Sequence, residues 1–283
     1  MDGVGYSSAY DDVEDDVLYV KMDTDIVYIE DSVILSLAYS RASRPDAYLI
    51  GANVVNQPLS SWLHWSLGAV RPYLPEAYGD VAAPAADGLD DWRPSQLPAW
   101  KGSTDSFDVE AWQPPTGRKH RWLPVHNKSS HVLDQTPILT TEYDAYGGLG
   151  WQKWTIAAQQ HYSLFGNIEQ QAMWRYRYPT WNYRDLRMGL QFVAMLGRDI
   201  NAAKPIDADD EGHFSVKMPQ KLGKDAIADG SGVVAHHSFG PQRDGISKTD
   251  ILDRYRLYAR QHVCESAMLW ASEADDTVGL SSS

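Results

Sequence analysis

Val17-Leu18-Tyr19-Val20-Lys21-Met22-Asp23-Thr24-Asp25-Ile26-Val27-Tyr28-Ile29 is the stretch on which the reading of this chain turns. Two short runs rich in β-formers, residues 17–20 and 26–29, flank an acid-threonine-acid triplet. Along an extended backbone, residues two apart project to the same side. The pattern therefore predicts two strands with Asp23 and Asp25 aimed together into a crevice. Carboxylates so placed repel one another unless a cation neutralises them. Mg²⁺ or Mn²⁺ does so and leaves coordination positions for water and phosphate oxygens. The same spacing recurs at Asp207-Ala208-Asp209, so the flanking strands, not the triplet, single out the first.

Outward from this stretch, Asp31 or Ser32 can cap a helix to about Ser43, ahead of Pro45. Tyr48-Leu49-Ile50 reads as a strand closed by Gly51. Residues 72–135 are rich in Pro, Gly, Ala and Asp and carry Trp92, Trp100, Trp112 and Trp122. So long a loop implies an ordered insertion or a lid. Trp151, Trp154, Ala158, Tyr162 and Phe165 fall at helical spacing, as do Leu186, Leu190, Val193 and Leu196. Phe214-Ser215-Val216-Lys217-Met218 and Val233-Val234-Ala235 read as strands, and a last helix begins after Thr249. Interleaved strands and helices predict an α/β fold. The expected layout is an acidic disordered lead-in over 1–16, one domain over 17–272, and a flexible tail over 273–283.

Composition narrows the function classes. The 283 residues carry 25 basic and 38 acidic side chains, net −13, which argues against a nucleic-acid partner. Residues 1–31 hold ten acids against one lysine, so the remainder carries only −4. No apolar run reaches the 18 or so residues that a membrane span needs. The lone cysteine, Cys264, forbids an internal disulfide. The aromatic set is weighted to Trp (11) and Tyr (16) over Phe (5), a bias that suits half-buried surfaces and carbohydrate faces.

Two further clusters carry chemistry. Asp207-Ala208-Asp209-Asp210-Glu211 places four acids in five residues. Facing solvent they are a polar loop; facing a cleft, one can take a proton from a hydroxyl nucleophile. His236-His237 follows the strand at 233–235, where an imidazole serves either as a metal ligand or as a hydrogen-bonded structural group.

Residues 20–31 resemble the metal-binding strand of GT-A type glycosyltransferases. More widely, the chain from about Asp16 to Cys264 is similar to a group of fungal glycosyltransferase-like proteins. The matching stretches are residues 52–58, 67–70, 120–124, 154–159, 209–211 and 235–243. The resemblance implies a GT-A-like mixed sheet flanked by helices. It also implies Mn²⁺ or Mg²⁺ as cofactor, a nucleotide-sugar as donor, and a carbohydrate or small-molecule acceptor.

On that resemblance Asp23 and Asp25 hold the metal, with Asp25 the more direct ligand, and His236 completes the shell. One of Asp209, Asp210 and Glu211 is the catalytic base. Asn53, Asn56, Trp62, His64 and Trp65 are the expected substrate-binding residues. In GT-A folds the βα units that cradle the nucleotide precede the D-x-D strand at roughly 30 residues each, whereas 22 residues precede Asp23 here. The resemblance thus implies an incomplete nucleotide-binding part, with a Golgi location if an N-terminal anchor is missing and a cytoplasmic one from this chain alone. The alternative function is a non-catalytic remnant that binds carbohydrate or a protein through its tryptophan-rich surface. A glycoside hydrolase would need two carboxyl groups roughly 5–10 Å apart across a cleft, and no pair in the sequence is singled out for that.

Overall fold

A computed structural model describes residues 7–76, 90–102, 107–109, 111–114, 116, 119–126, 132–144 and 146–264. The strands are β1 (Leu18–Met22), β2 (Ile26–Ile29), β3 (Ala47–Val55), β4 (Tyr73–Pro75), β5 (Trp122–Pro124), β6 (Trp181–Asn182), β7 (Phe192–Leu196) and β8 (Asp225–His236). The helices are α1 (Val33–Ser43), α2 (Pro58–Ser66), α3 (Gly148–Gln152), α4 (Trp154–Glu169), α5 (Gly197–Ala203), α6 (Asp210–Gly212), α7 (Met218–Leu222), α8 (Arg243–Ser247) and α9 (Ile251–His262). The protein is mixed α/β, with a mixed sheet flanked by helices. The expected tail, 273–283, lies outside the described residues.

The main sheet runs β1-β7-β3-β8-β2, with β3 and β8 parallel and the other pairs antiparallel. The outer edge of β8 is shared by β6 on its first half and β2 on its second. At the centre, β3 is buried along all nine residues, as an apolar strand covered on both faces must be. The expected end at Gly51 is corrected: β3 continues to Val55. Gly51 is needed because a Cβ there would sit 1.9 Å from the Met188 methyl, so it marks a close contact within a strand.

β8 likewise begins well before the expected 233–235. Its pairing with β3 jumps from Gly51↔Ala228 to Asn53↔Val233, so four residues bulge out opposite one. The bulge is tied to α1. The Asp229 carboxylate accepts the hydroxyls of Ser36 and Ser40 and the Ser231 amide. A Cβ at Gly230 would strike the Tyr178 carbonyl, and one at Gly232 would strike Val33. The Asp-Gly-Ser-Gly string that imitates a turn is what allows helix and strand to approach so closely.

Two other expectations change type. The stripe Leu186, Leu190, Val193 and Leu196 is not a helix. Phe192–Leu196 is β7, an apolar run wedged between β1 and β3 that a helical count matches by coincidence. Phe214–Met218 is not a strand. It lies in a π-helical turn, His213–Lys217, between α6 and α7, and Asp209 caps this segment by accepting from the Gly212 amide at 3.2 Å.

Part of the expected lead-in is also ordered. Ser7–Tyr10 forms a 3₁₀ turn, and the buried Tyr10 ring packs 5.2 Å from that of Phe214. The acids that suggested a loose tail are met by α5 and its flank. Arg198 pairs with Asp16, Asn201 donates to Asp15 and to the Val13 carbonyl, and Lys204 donates to the Asp11 carbonyl.

The described parts of the insertion are folded too. β4 pairs with β5, and Trp92, Trp100 and Trp122 are buried. α4 is the axle of this half, buried at thirteen of sixteen positions. Its polar side chains hold the surrounding loops. Gln159 bonds the Arg71 carbonyl, Thr136 and the Ile138 amide, while Asn167 bonds the Ala69 carbonyl. Among the described residues no helix is long and apolar enough to cross a membrane.

Candidate metal centre and cavity

Residues 23–25 form a turn, not a strand, and the turn has an unusual job. It carries the chain from the edge strand β1 to the opposite edge strand β2, over the carboxyl ends of β3 and β8. In open α/β sheets that is where ligands bind. Each acid is fixed by a different ladder. The Asp23 amide donates to the Gln191 carbonyl at 2.9 Å, prolonging the β1–β7 pairing. The His237 amide donates to the Asp25 carbonyl at 2.9 Å, prolonging β2–β8. Because Ile26 pairs with His236, the last residue of β8 comes to lie beside Asp25.

Asp23, Asp25 and His236 each offer a ligand atom, all within 4.8 Å of one another. His236 Nε2 lies 3.2 Å from Asp25 Oδ1. His236 is buried, and among the described residues its Nδ1 has no hydrogen-bond partner, an anomaly that calls for one. Lys21 reaches one oxygen of Asp23 at 3.1 Å and the Leu190 carbonyl at 3.1 Å. Partial burial pushes the Asp25 carboxyl up, but the hydrogen bond and charge of His236 outweigh it and hold the group below the usual carboxylate range. Burial drives the neighbouring His237 imidazole down to about 4, and its Nε2 is also buried without a partner among the described residues.

These groups line a cavity of about 1160 Å³. Glu211, Gln191, Trp151, Tyr146 and Arg243 face the same space. Of the three candidate bases only Glu211 does, held by Arg187 at 3.1 Å. Asp209 and Asp210 are corrected out of the site. Asp209 is exposed and clamped by both terminal nitrogens of Arg187, at 2.5 and 2.6 Å, while Asp210 accepts the Tyr10 hydroxyl at 3.2 Å. On a helical turn, three successive acids cannot all face one way.

None of the five expected substrate-binding residues lines this cavity. Asn53 and His64 are wholly buried and bonded to each other at 2.6 Å, with Asn53 also donating to the Tyr176 carbonyl at 2.7 Å. Asn56 supports the site from behind. Its amide donates to the carbonyls of His236 and His237, each at 3.2 Å, and to Gln242 at 2.9 Å. Trp62 meets Tyr143 edge-on, and Trp65 packs near Val70, Ile138 and Ile156. Their polar edges and rings satisfy the interior, which a flat count of polar residues beside aromatics does not reveal.

Sequence reasoning passed over Lys21, Gln191, Tyr146, Trp151 and Arg243. Arg243 had the clearest signal, since it closes the stretch that begins at Ala235. Comparison of the chain with protein-family models, with curated proteins and with solved structures finds no match in any of the three.

Proposed function

We propose that this protein is a GT-A-like glycosyltransferase that uses Mn²⁺ or Mg²⁺ to transfer a sugar from a nucleotide-sugar to a hydroxyl acceptor. The observation that carries this reading is the meeting of Asp23, Asp25 and His236 in one cavity at the carboxyl end of β8. The donor set fits such a cation. Two carboxylate oxygens suit Mg²⁺ or Mn²⁺, the imidazole favours Mn²⁺ within that pair, and the gathering of these three side chains supports a cation there. The resemblance of residues 20–31 to the metal-binding strand of GT-A enzymes supports the same assignment.

When bound, the cation neutralises the donor diphosphate and stabilises the charge that the leaving phosphate gains. Asp23, Asp25 and His236 hold it. Lys21 fixes the orientation of Asp23. Arg243 lines the cavity, has no acidic partner among the described residues, and offers a guanidinium to phosphate oxygens. Glu211, steadied by Arg187, accepts the proton from the attacking hydroxyl. The alternative of a tryptophan-rich binding surface draws no support from the fold. Among the described residues Trp174 alone of the tryptophans is exposed, while Trp92, Trp100 and Trp122 are core.

The test is calorimetric. Wild type titrated with UDP-sugars and GDP-sugars, with and without Mn²⁺, is expected to bind a donor only with metal. The Asp23→Asn/Asp25→Asn double variant is expected to lose about tenfold or more in Mn²⁺ affinity. A folded double variant that binds Mn²⁺ and donor as wild type does would overturn the assignment.

A further inference from the structure

The cavity meets β1 along its edge. Tyr19, Val20, Lys21 and Met22 all line it, although successive residues of a strand point to opposite faces. A surface that touches four successive residues therefore runs along the strand's edge. The ladder with β7 fixes which backbone groups lie there. At one end the Val17 carbonyl accepts the Gly197 amide at 2.8 Å, and at the other the Asp23 amide donates to the Gln191 carbonyl at 2.9 Å. In an antiparallel pair the groups turned toward the partner recur at every second residue, so Tyr19 and Lys21 face β7. Leu18, Val20 and Met22 turn their amides and carbonyls outward, and β1 is the last strand of the sheet on that side. Among the described residues no hydrogen bond takes these outward groups.

Such an edge is a row of donors and acceptors repeating about every 6.8 Å, two residues of rise. A second extended polypeptide repeats its own amides and carbonyls at that interval and pairs with each in register; sugar hydroxyls and nucleobase edges have no such period. The row runs straight into Asp23 and the metal centre. It also leads to the general base, because the Lys21 ammonium donates to the Leu190 carbonyl at 3.1 Å and the Leu190 amide donates to Glu211 at 3.4 Å. Charge narrows the partner further. Asp12 lines the cavity, and among the described residues no cation pairs with its carboxylate. Resting on the function proposed above, we propose that the acceptor is a serine or threonine of a basic polypeptide segment that adds to β1 as an extended strand on Leu18, Val20 and Met22. The hydroxyl oxygen forms the bond to the anomeric carbon as the bond from that carbon to the diphosphate oxygen breaks. The hydroxyl proton passes to Glu211, and the electron pair of the broken bond leaves on the phosphate.

The test uses the full chain, calorimetry and light scattering. The probe is a nine-residue peptide with a central serine and valine alternating with lysine on each side, and wild type is expected to bind it saturably. The same peptide N-methylated throughout keeps its side chains but loses its amide donors, and is expected to bind about tenfold more weakly. A version with glutamate for lysine is expected to weaken about as much, roughly tenfold. Val20→Pro deletes an outward amide that the ladder does not use, a change that edge strands accept. It is expected to weaken the lysine peptide about tenfold and to leave the Mn²⁺ titration unchanged. Asp12→Lys, at an exposed position, is expected to weaken the lysine peptide about threefold and guards against a misfolded first variant. No binding of the lysine peptide, equal binding of its N-methylated form, or binding that both variants leave intact overturns the proposal. A dimer of the free protein that Val20→Pro dissociates overturns it too, since a second copy then holds the edge. The Mn²⁺ titration separates the two readings. Failure of the peptide with metal binding intact defeats the acceptor class alone, whereas wild type that binds no metal defeats the transferase reading beneath it.

Discussion

Arg254 shows how strongly single residues hold the frame behind the site. Its side chain is fully buried, donates to Asp250 at 2.8 and 3.0 Å and to the Trp92 carbonyl at 3.1 Å, and lies against Tyr162, whose hydroxyl also bonds Asp250. One guanidinium thus joins α9, α4 and the insertion. Removing it leaves a buried carboxylate with no counter-charge, so Arg254→Met should cost about 3–5 kcal/mol in urea unfolding. Arg254→Met combined with Asp250→Leu should cost less than the single change, because the stranded charge is gone; equal or greater loss in the double variant would refute this account. At the same scale, the function proposed here requires that Glu211→Gln abolish sugar transfer while sparing Mn²⁺ binding. Asp209→Asn should leave transfer within about threefold of wild type, since Asp209 faces solvent and Glu211 faces the cavity.

At the scale of elements, the contact of α1 with the bulge of β8 is the most constrained join. Helix and strand touch where Gly232 lies beneath Val33, at a distance that a Cβ would reduce to 2.7 Å. Gly232→Ala should therefore destabilise by about 1–3 kcal/mol through overpacking, read as a lower urea midpoint. Gly223→Ala is the contrasting control. Nothing lies within 4 Å of a Cβ there, and the penalty comes only from its φ of +62°. Matters are similar in β3, where Gly51 seats Met188. In both strands glycine serves approach rather than turning, which is why local pattern reading ended β3 too soon and began β8 too late.

The molecule as a whole should lose stability as the pH falls below the ordinary histidine value. His64 and His161 are completely buried, and desolvation pulls both imidazoles down to about 3 from 6.5. His64 bonds Asn53, and His161 bonds Tyr255 and the His237 carbonyl, so both work in the neutral form. Below the ordinary histidine value the unfolded chain takes up protons that the native state refuses. Stability is then fully present above about pH 6.5 and falls as pH drops toward 3, by about 1.4 kcal/mol per unit for each histidine. Urea midpoints should decline between about pH 7 and pH 5, and His161→Gln should flatten that decline. A midpoint that stays level over this range in wild type would show that neither histidine titrates in the unfolded chain as argued.

By itself the sequence determined what local physics can determine. Period-3.6 stripes marked α4 and α9, β-formers marked β1 and β2, and their alternation required an α/β fold, because such periodicity is imposed by the backbone geometry of each element. The acid pair at Asp23 and Asp25 and the histidine at 236 were also legible as residue types suited to a cation. Tertiary structure alone decided what these residues face. Asp25 meets His236 because β2 pairs with the far end of β8, 210 positions along the chain, and no local signal encodes that pairing. Glu211 faces the cavity while Asp209 is exposed, although Arg187 bonds both, because the helical turn they share points them apart. Asn53 and His64 left the substrate list for the core, where they bond each other and Asn53 also donates to the Tyr176 carbonyl. The acidic N-terminal segment became a cavity wall because α5 supplied the partners for its charges and carbonyls. Propensity acts over a few residues, whereas burial, charge pairing and close backbone approach act between elements that only the folded chain brings together.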